Sequence, residues 1–324
     1  MEPFKNSFYN IAVQAADLNK ASTVNQRMLI DNVTAESPIL AAIPFEKASH
    51  DYHNLFERVT AAQGVDVVDL DGPLPIIDSE TQLDQSNLTP LGGKILMPED
   101  KVIKYGGVEK YLAKRLPPAM RQSGMKIEKS LFLNNFLGKA VEFSNAVSAS
   151  ETPADMPNYA AMAAITWSPG EVTGLFSPLP YADPRLGQVF ETSALNGGNR
   201  YDYRHPVDKV DIVVYGATVK TLIGMQLENK LKIAALVNIG ATAVPTATQL
   251  VELVKRASFG TTTRIYCNPS LALRIAAYYS TQNHGNGLIT VQPGGQVSIV
   301  GVPVITSFNI PEAIGRISNA SYVA

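Results

Sequence analysis

The sequence predicts an α+β protein built from regions of different character, and three observations carry this prediction. The stretch from Val108 to Leu137 has the apolar spacing expected of a long helix. The region from Glu142 to Asp208 is rich in glycine and proline, which is typical of short strands joined by turns. In the last third of the chain, helical and strand patterns alternate, which indicates a compact α/β unit.

The composition is that of a globular chain that covers part of its surface with other protein. The 324 residues are 45% hydrophobic and 8% aromatic, which fits neither a disordered chain nor a fibrous repeat. Charged residues make up only 17%, against roughly 25% in ordinary soluble domains. The formal net charge is -2, whereas a dedicated nucleic-acid binder normally has an isoelectric point above ~9. We therefore expect contacts with copies of the same chain or with a partner protein.

The single cysteine, Cys267, cannot form an intrachain disulfide, so a reducing compartment is the simpler expectation. The first residues lack the apolar stretch of a signal peptide. Two long uncharged runs, Ile233–Val251 and Gly285–Pro311, contain prolines and polar residues that a membrane-spanning helix would not tolerate well. The sequence predicts buried structure for both runs and no membrane partner.

Residues 1–50 are predicted to form an arm with at most one helix, around Ala12–Ile30. The following stretch, Val59 to Gly93, has six acidic residues, no basic residue and three prolines. It is predicted to be either disordered or a two-stranded extension laid on another molecule, with strands at Val65–Leu70 and Leu74–Ile77. The six acids are predicted to make contacts between subunits; they are Asp66, Asp69, Asp71, Asp78, Glu80 and Asp84.

The charge then inverts, with nine basic and two acidic residues between Lys101 and Lys139. Most of this stretch is predicted to be helical, and Pro117-Pro118 is expected to kink or restart the helix. Because acidic and basic segments occur in one chain, the acidic part of one copy can meet the basic part of the next in a closed assembly. The cations predicted to make these contacts are Lys101, Lys104, Lys110, Lys114 and Arg115.

The C-terminal third has clear local signals. Strands are predicted at Val210–Tyr215, Thr218–Gly224 and Leu231–Ile239. Thr246 and Gln249 form a capping box that begins a helix, which Gly260 is expected to end. The remaining predicted elements are a strand at Arg264–Cys267, a helix from Pro269 through Tyr279 and strands at Leu288–Val291, Val297–Val300 and Val302–Ile305.

Motifs for catalysis, cofactors or metals are weak throughout. His50-x-x-His53 could place two imidazoles on one helix, but it lacks the glutamate of the metalloprotease motif. The Val67-x-Asp69-x-Asp71-Gly72 stretch only imitates a calcium loop, and Gly216 to Thr221 only imitates a phosphate loop. Cys267 lies in a predicted buried strand, where a thiol is usually inert. We therefore predict no catalytic, cofactor-binding or metal-binding residue, and no enzymatic activity.

The order of these parts resembles the major capsid proteins of tailed bacteriophages with the Hong Kong 97-like fold, and in particular their podophage branch. The resemblance extends over nearly the whole chain. The stretches that carry it are Ser37-Pro-Ile-Leu-Ala-Ala-Ile-Pro-Phe45, Leu91-Gly-Gly-Lys94, Tyr215 to Ile239 with Gly224-Met-Gln-Leu227, Ile265-Tyr-Cys-Asn-Pro269 and Gly301-Val-Pro-Val304.

The resemblance implies a division of the chain into five regions. They are an N-terminal arm (1–50), an extended loop (51–97), a peripheral domain (98–225) with its spine helix at about 108–137, an axial domain (226–310) and a C-terminal return to the peripheral domain (311–324). It also implies hexamers and pentamers that build an icosahedral shell around double-stranded DNA. The virion would be its location, after assembly in the host cytoplasm.

Further partners follow from the same resemblance. Fifty residues are too few for a built-in scaffolding region, so a separate scaffolding protein, a portal and possibly a decoration protein are expected. Some family members crosslink through a lysine of the extended loop, but no lysine lies between Val59 and Gly93, and Lys94 lies at its base. The alternatives are an encapsulin-like nanocompartment shell of the same fold and, from another class, a soluble α/β enzyme or ligand-binding protein.

Overall fold

The computed structural model describes residues 34, 36–62, 65, 77, 79–154, 156–177, 191–205, 207–281, 287–292 and 296–323. Its α-helices are α1 (Pro38–Ala42), α2 (Glu99–Tyr105), α3 (Val108–Ser130), α4 (Gly138–Glu142), α5 (Ala247–Arg256) and α6 (Pro269–Thr281), and a π-helix (Leu131–Leu137) connects α3 to α4. The strands are β1 (Phe45–Lys47), β2 (His53–Ala62), β3 (Ser79–Asn87), β4 (Thr89–Pro98), β5 (Ala146–Ser148), β6 (Tyr159–Thr166), β7 (Val172–Phe176), β8 (Glu191–Ala194), β9 (Tyr201–Arg204), β10 (Asp211–Leu227), β11 (Ile233–Gly240), β12 (Thr263–Cys267), β13 (Ile289–Val291), β14 (Val297–Ile299), β15 (Val302–Thr306) and β16 (Ser321–Tyr322).

Strands β2 and β3 form a separate antiparallel hairpin. Its register runs from His53 opposite Asn87 at the base to Ala62 opposite Ser79. A two-stranded extension is therefore present, but its described strands flank the segment where the sequence predicted them. The predicted strands Val65–Leu70 and Leu74–Ile77, like the predicted arm helix, lie outside the described residues apart from Val65 and Ile77.

A second sheet of six strands is organised around β10, which is 17 residues long. One edge of β10 pairs with β4 from Val214 opposite Pro98 to Ile223 opposite Thr89. The other edge pairs in turn with β9, β8 and β7. The sequence predicted two strands with a break near Gly216, and this was wrong: Gly216 lies in the middle of one continuous strand.

The third sheet has eight strands, in the order β13-β14-β15-β12-β6-β11-β5-β16. All eight residues of β6 are buried, since both faces of this strand are covered. One face, through Met162, packs with α5 and α6, and the other, through Ile165, packs with Phe132 and Phe136 of the π-helix. A central strand that is covered on both faces has a nearly continuous run of apolar residues, and β6 has such a run.

The long predicted helix is confirmed from Val108 to Leu137, but it does not restart at Pro117-Pro118. A proline inside a helix removes a backbone hydrogen bond and costs ~3 kcal/mol. Leu116 and Met120, on either side of the pair, are both buried in the main core, so packing holds the helix on each side of the prolines.

The local signals of the C-terminal third are largely confirmed. The Thr246 hydroxyl accepts from Gln249 N, and Gln249 Oε1 accepts from Thr246 N, so the predicted capping box is formed. Helix α5 ends at Arg256, four residues before Gly260. It ends early because Ala257 and Ser258 turn away, with Ser258 in the left-handed region at φ 48°, and Gly260 lies in the following turn.

Candidate subunit-contact surfaces

The two described acids of the predicted acidic segment lie on the second strand of the hairpin. Glu80 and Asp84 are both on β3. Asp84 forms an ion pair with Arg58 of β2, with Nη1 and Oδ2 3.0 Å apart, so part of its charge is used within the hairpin. This pairing was not predicted, because Arg58 precedes the acidic segment. Asp66, Asp69, Asp71 and Asp78 lie outside the described residues.

The five predicted cations lie together on two consecutive helices. Lys101 and Lys104 are on α2, and Lys110, Lys114 and Arg115 are on α3. The helices are joined by Gly106 and Gly107, whose φ angles of 77° and 124° are rare in residues with a side chain. This turn brings Lys114 of α3 next to Tyr105 of α2. The exposed side chains of the five cations are here called the basic surface.

Two tyrosine rings contact cations of the basic surface. The Tyr105 and Tyr111 rings meet edge to face with centroids 5.4 Å apart. The Lys114 ammonium lies 5.1 Å from the centre of the Tyr105 ring, and the Arg115 guanidinium lies 5.8 Å from that of Tyr111. Such cation–π contacts contribute about 0.5–1 kcal/mol at exposed sites, so they orient these cations without neutralising them.

The basic surface is open to solvent in the single chain. All five cations are exposed, and none of them makes an ion pair with a residue in the described ranges. Between Lys101 and Lys104, the side chain of Ile103 is 69% exposed. An exposed apolar side chain surrounded by unpaired cations is typical of a surface that another protein covers.

The hairpin base and the basic surface are held at opposite ends of β4. Asn87, at the end of β3, is followed by β4, and Pro98, at the end of β4, is followed by α2. Strand β4 has ten residues, which span roughly 33 Å at ~3.3 Å per residue. Because of this separation, the hairpin and the basic surface can contact different partner molecules.

A groove that sequence reasoning missed runs between α3 and the β4–β10 pair. It has a volume of about 350 Å³. Its floor includes Leu91, Met120 and Ile127, and three lysines line it, namely Lys94, Lys126 and Lys220. No acidic side chain is among its described lining residues. The pairing of β4 with β10 places Lys94 and Lys220 in one sheet, and the packing of α3 on that sheet adds Lys126. No local sequence signal could therefore have identified this group.

The histidine pair and the cysteine singled out in the sequence have structural roles in the fold, whereas the Val67-x-Asp69-x-Asp71-Gly72 stretch lies outside the described residues. His50 and His53 are not on a helix: their rings stack at the base of the hairpin, with centroids 4.6 Å apart, because His53 begins strand β2. Cys267 is fully buried, which raises the pKa of its thiol to about 12. Within the described ranges, no group of three or more His, Cys, Asp and Glu side chains could hold a metal ion.

Comparison with known proteins identifies the fold. No family model and no curated protein matches the sequence. A chain of the cryo-EM structure of bacteriophage Epsilon15 matches with a TM-score of 0.55 and 12% identity, over 85% of this chain and 87% of that chain. A chain of the bacteriophage JBD30 procapsid matches with a TM-score of 0.46 and 12% identity, over 91% of this chain and 99% of that chain.

A chain of the holo-SrpI encapsulin complex from Synechococcus elongatus PCC 7942 is similar with a TM-score of 0.40 and 10% identity, over 62% of this chain and 87% of that chain. The Epsilon15 match extends over most of both chains. The chain therefore has the α+β, Hong Kong 97-like fold of phage major capsid proteins, as the sequence predicted. In the part of the chain that the structure describes, no helix is long and apolar enough to span a membrane.

Proposed function

We propose that this chain is the major capsid protein of a tailed bacteriophage, and that it assembles as hexamers and pentamers into an icosahedral shell around double-stranded DNA. The fold supports this proposal, and one observation carries it further. The basic surface is exposed and unpaired among the described residues, while the acidic hairpin extends from the opposite end of β4. In a closed assembly, the hairpin of one copy covers the basic surface of the next.

The division into arm, extended loop, peripheral domain with spine helix, axial domain and C-terminal return is part of the same proposal. The hairpin corresponds to the extended loop, α3 with the π-helix to the spine, and strands β11 to β15 with α5 and α6 to the axial unit. Strand β4, which the family resemblance assigned to the extended loop up to residue 97, pairs with β10 along its whole length. We therefore shorten the loop to the hairpin.

The remaining partners follow from a capsid role. A separate scaffolding protein, a portal and a decoration protein would bind outside this chain's contacts with its own copies, and packaged DNA would be held by non-specific contacts with phosphates. We assign the chain no reaction and place it in the virion after assembly in the host cytoplasm.

Charge reversal of the basic surface tests the proposal. The triple variant Lys104→Glu, Lys110→Glu and Lys114→Glu should fold, as measured by circular dichroism, but should form no shells in negative-stain microscopy. A matched variant with Lys209→Glu, Lys230→Glu and Lys255→Glu changes the net charge equally on exposed lysines elsewhere, and it should still assemble. Normal shells from the first variant would disprove the charge pairing.

Two further measurements make this test specific. Reversing Asp66, Asp69 and Asp71 to lysine in the triple variant should restore part of the assembly, because opposite charges then meet again. The contents of purified particles separate the two kinds of shell: nuclease-protected double-stranded DNA is expected of a capsid, and a protein cargo would indicate a nanocompartment.

A further inference from the structure

Helix α3 carries a buried acid that the shell contacts do not use. The side chain of Glu128 has no solvent exposure, and Glu128 is the only charged residue among the buried side chains that the structure describes. A buried carboxylate without a partner is strongly disfavoured, since its hydration is lost. Its surroundings therefore decide in which protonation state it exists.

Two segments from elsewhere in the chain meet this carboxyl group of α3. Ser37 and the backbone of Ile39 approach from the start of α1, and Ser307 and Asn309 approach from the segment after β15. These groups lower the pKa of Glu128, but the cost of its burial is larger and raises it above the ordinary value of 4.5. Neither carboxylate oxygen nor the Ser37 hydroxyl makes a well-formed hydrogen bond with a described residue.

The place where α1, α3 and the 307–310 segment meet is here called the junction. The charged groups around it do not neutralise Glu128. On α3, Arg121 pairs with Glu36, which precedes α1, with Nη1 and Oε1 3.7 Å apart. From the sheet, the phenol of Tyr266 accepts a hydrogen bond from Trp167 Nε1, and its own burial raises its pKa, so it stays uncharged. Residues 307–310 contain no titratable side chain.

The junction is also a point of attachment for the chain that precedes α1. Asn309 Nδ2 donates to the Glu36 carbonyl over 2.7 Å, and Asn309 N donates to Ser307 Oγ over 3.1 Å. Ile39 and Leu40 are fully buried in the main core. An ionised Glu128 would therefore need hydration, and water could reach it only if α1, α3 and the 307–310 segment separated.

We propose that Glu128 is a protonation-dependent latch: the neutral carboxylic acid holds α1 and the 307–310 segment closed on α3, and loss of its proton opens this junction. This inference goes beyond the shell function and does not depend on it. The neutral form stabilises the closed state fully below the ordinary pKa of about 4.5, and this stabilisation is lost as pH rises through the raised pKa of the folded state.

Hydrogen exchange of the unassembled full-length chain from pH 5 to pH 9 tests the latch. In the wild type, protection of the amides of residues 39–43, corrected for intrinsic exchange, should fall with pH by up to about tenfold per pH unit, as expected for release of one proton. In the Glu128→Gln variant, which stays neutral, this protection should not depend on pH. The Glu151→Gln variant removes an exposed acid and should behave as the wild type does.

Equal pH dependence in the wild type and in Glu128→Gln would overturn the proposal. So would an increase in protection with added sodium or potassium at constant ionic strength, because an ion rather than a proton would then neutralise the carboxylate. Should Glu128→Gln fail to fold, infrared spectroscopy of the wild type replaces it. A protonated-carboxyl band that persists at pH values where exposed carboxyl groups are ionised, and that disappears together with the protection, supports the latch, and its absence contradicts it.

Discussion

The side-chain amide of Asn54 donates a hydrogen bond to Gln226 Oε1 over 2.7 Å, and so connects the base of the hairpin to the end of β10. Both side chains are buried. Asn54 Oδ1 accepts in turn from the backbone of Ser49 over 2.8 Å, and Gln226 Nε2 donates to the Gly170 carbonyl. Each side-chain amide of this pair is hydrogen-bonded through both its oxygen and its nitrogen, so the hairpin base is fixed to the body while the strands extend away from it.

Replacing Asn54 by alanine should loosen the hairpin base. The variant leaves Gln226 Oε1 buried without its donor, which costs about 1–3 kcal/mol. We expect a lower free energy of unfolding in urea and faster hydrogen exchange in β2 and β3 than in β10. The Gln82→Ala variant changes an exposed residue of the same hairpin and should alter neither quantity. Unchanged exchange in Asn54→Ala would show that the pair does not anchor the hairpin.

The difference between sequence and structure is largest in this hairpin. Strands β2 and β3 carry polar residues on both faces, because no described side chain of the hairpin belongs to a hydrophobic core cluster. They therefore lack the alternation that identifies a half-buried strand. The C-terminal third was predictable for the opposite reason. Its signals are local: the capping box at Thr246 and Gln249, and Asn268 Oδ1 accepting from Ser270 N at the start of α6.

The candidate surfaces show the same distinction. The exposure of the basic run could be predicted from the sequence, because cations spaced closely along helices stay on the surface unless they are paired. Glu128 lies in that same lysine-rich run, and its sequence context suggests an exposed acid. Only the approach of Ser37 and Asn309, which are far away along the chain, reveals that it is buried.

Gly174 is a position where the fold has no space for a side chain. It lies on β7, between β1 and β10, and a Cβ atom there would come within 2.6 Å of the Phe45 ring and 2.7 Å of Ile43. Overpacking a buried position typically costs about 1–3 kcal/mol. We expect the Gly174→Ala variant to unfold at a lower temperature than the wild type in calorimetry.

The matched control for this change is Gly93→Ala. Gly93 also lies in the six-stranded sheet, on β4, but a Cβ atom there has no neighbour within 4 Å. Its melting temperature should stay close to that of the wild type. Equal losses in the two variants would mean that the contact with Phe45 does not set the cost at Gly174.

The ion pair between Glu171 and Lys232 predicts a loss of stability in acid. Glu171 precedes β7 and Lys232 precedes β11, so the pair connects two sheets. The hydrogen bond from Lys232, with a second one from Ser168, lowers the pKa of Glu171 below 4.5. A lowered pKa stabilises the fold at every pH above the ordinary value, and this contribution is lost as pH falls through the pKa of the folded state.

The Glu171→Gln variant should therefore be less stable than the wild type at pH 7, and this difference should be smaller at pH 3, below the ordinary pKa of 4.5. Because the Glu171 side chain is 38% exposed, solvent screening limits the difference to about 1 kcal/mol or less. Urea unfolding at the two pH values measures it. The Glu142→Gln variant removes the partner of Lys139, an exposed pair on one helix, and should lose little at either pH. A Glu171→Gln deficit that persists undiminished at pH 3 would show that packing, and not the ionised carboxylate, is what Glu171 contributes.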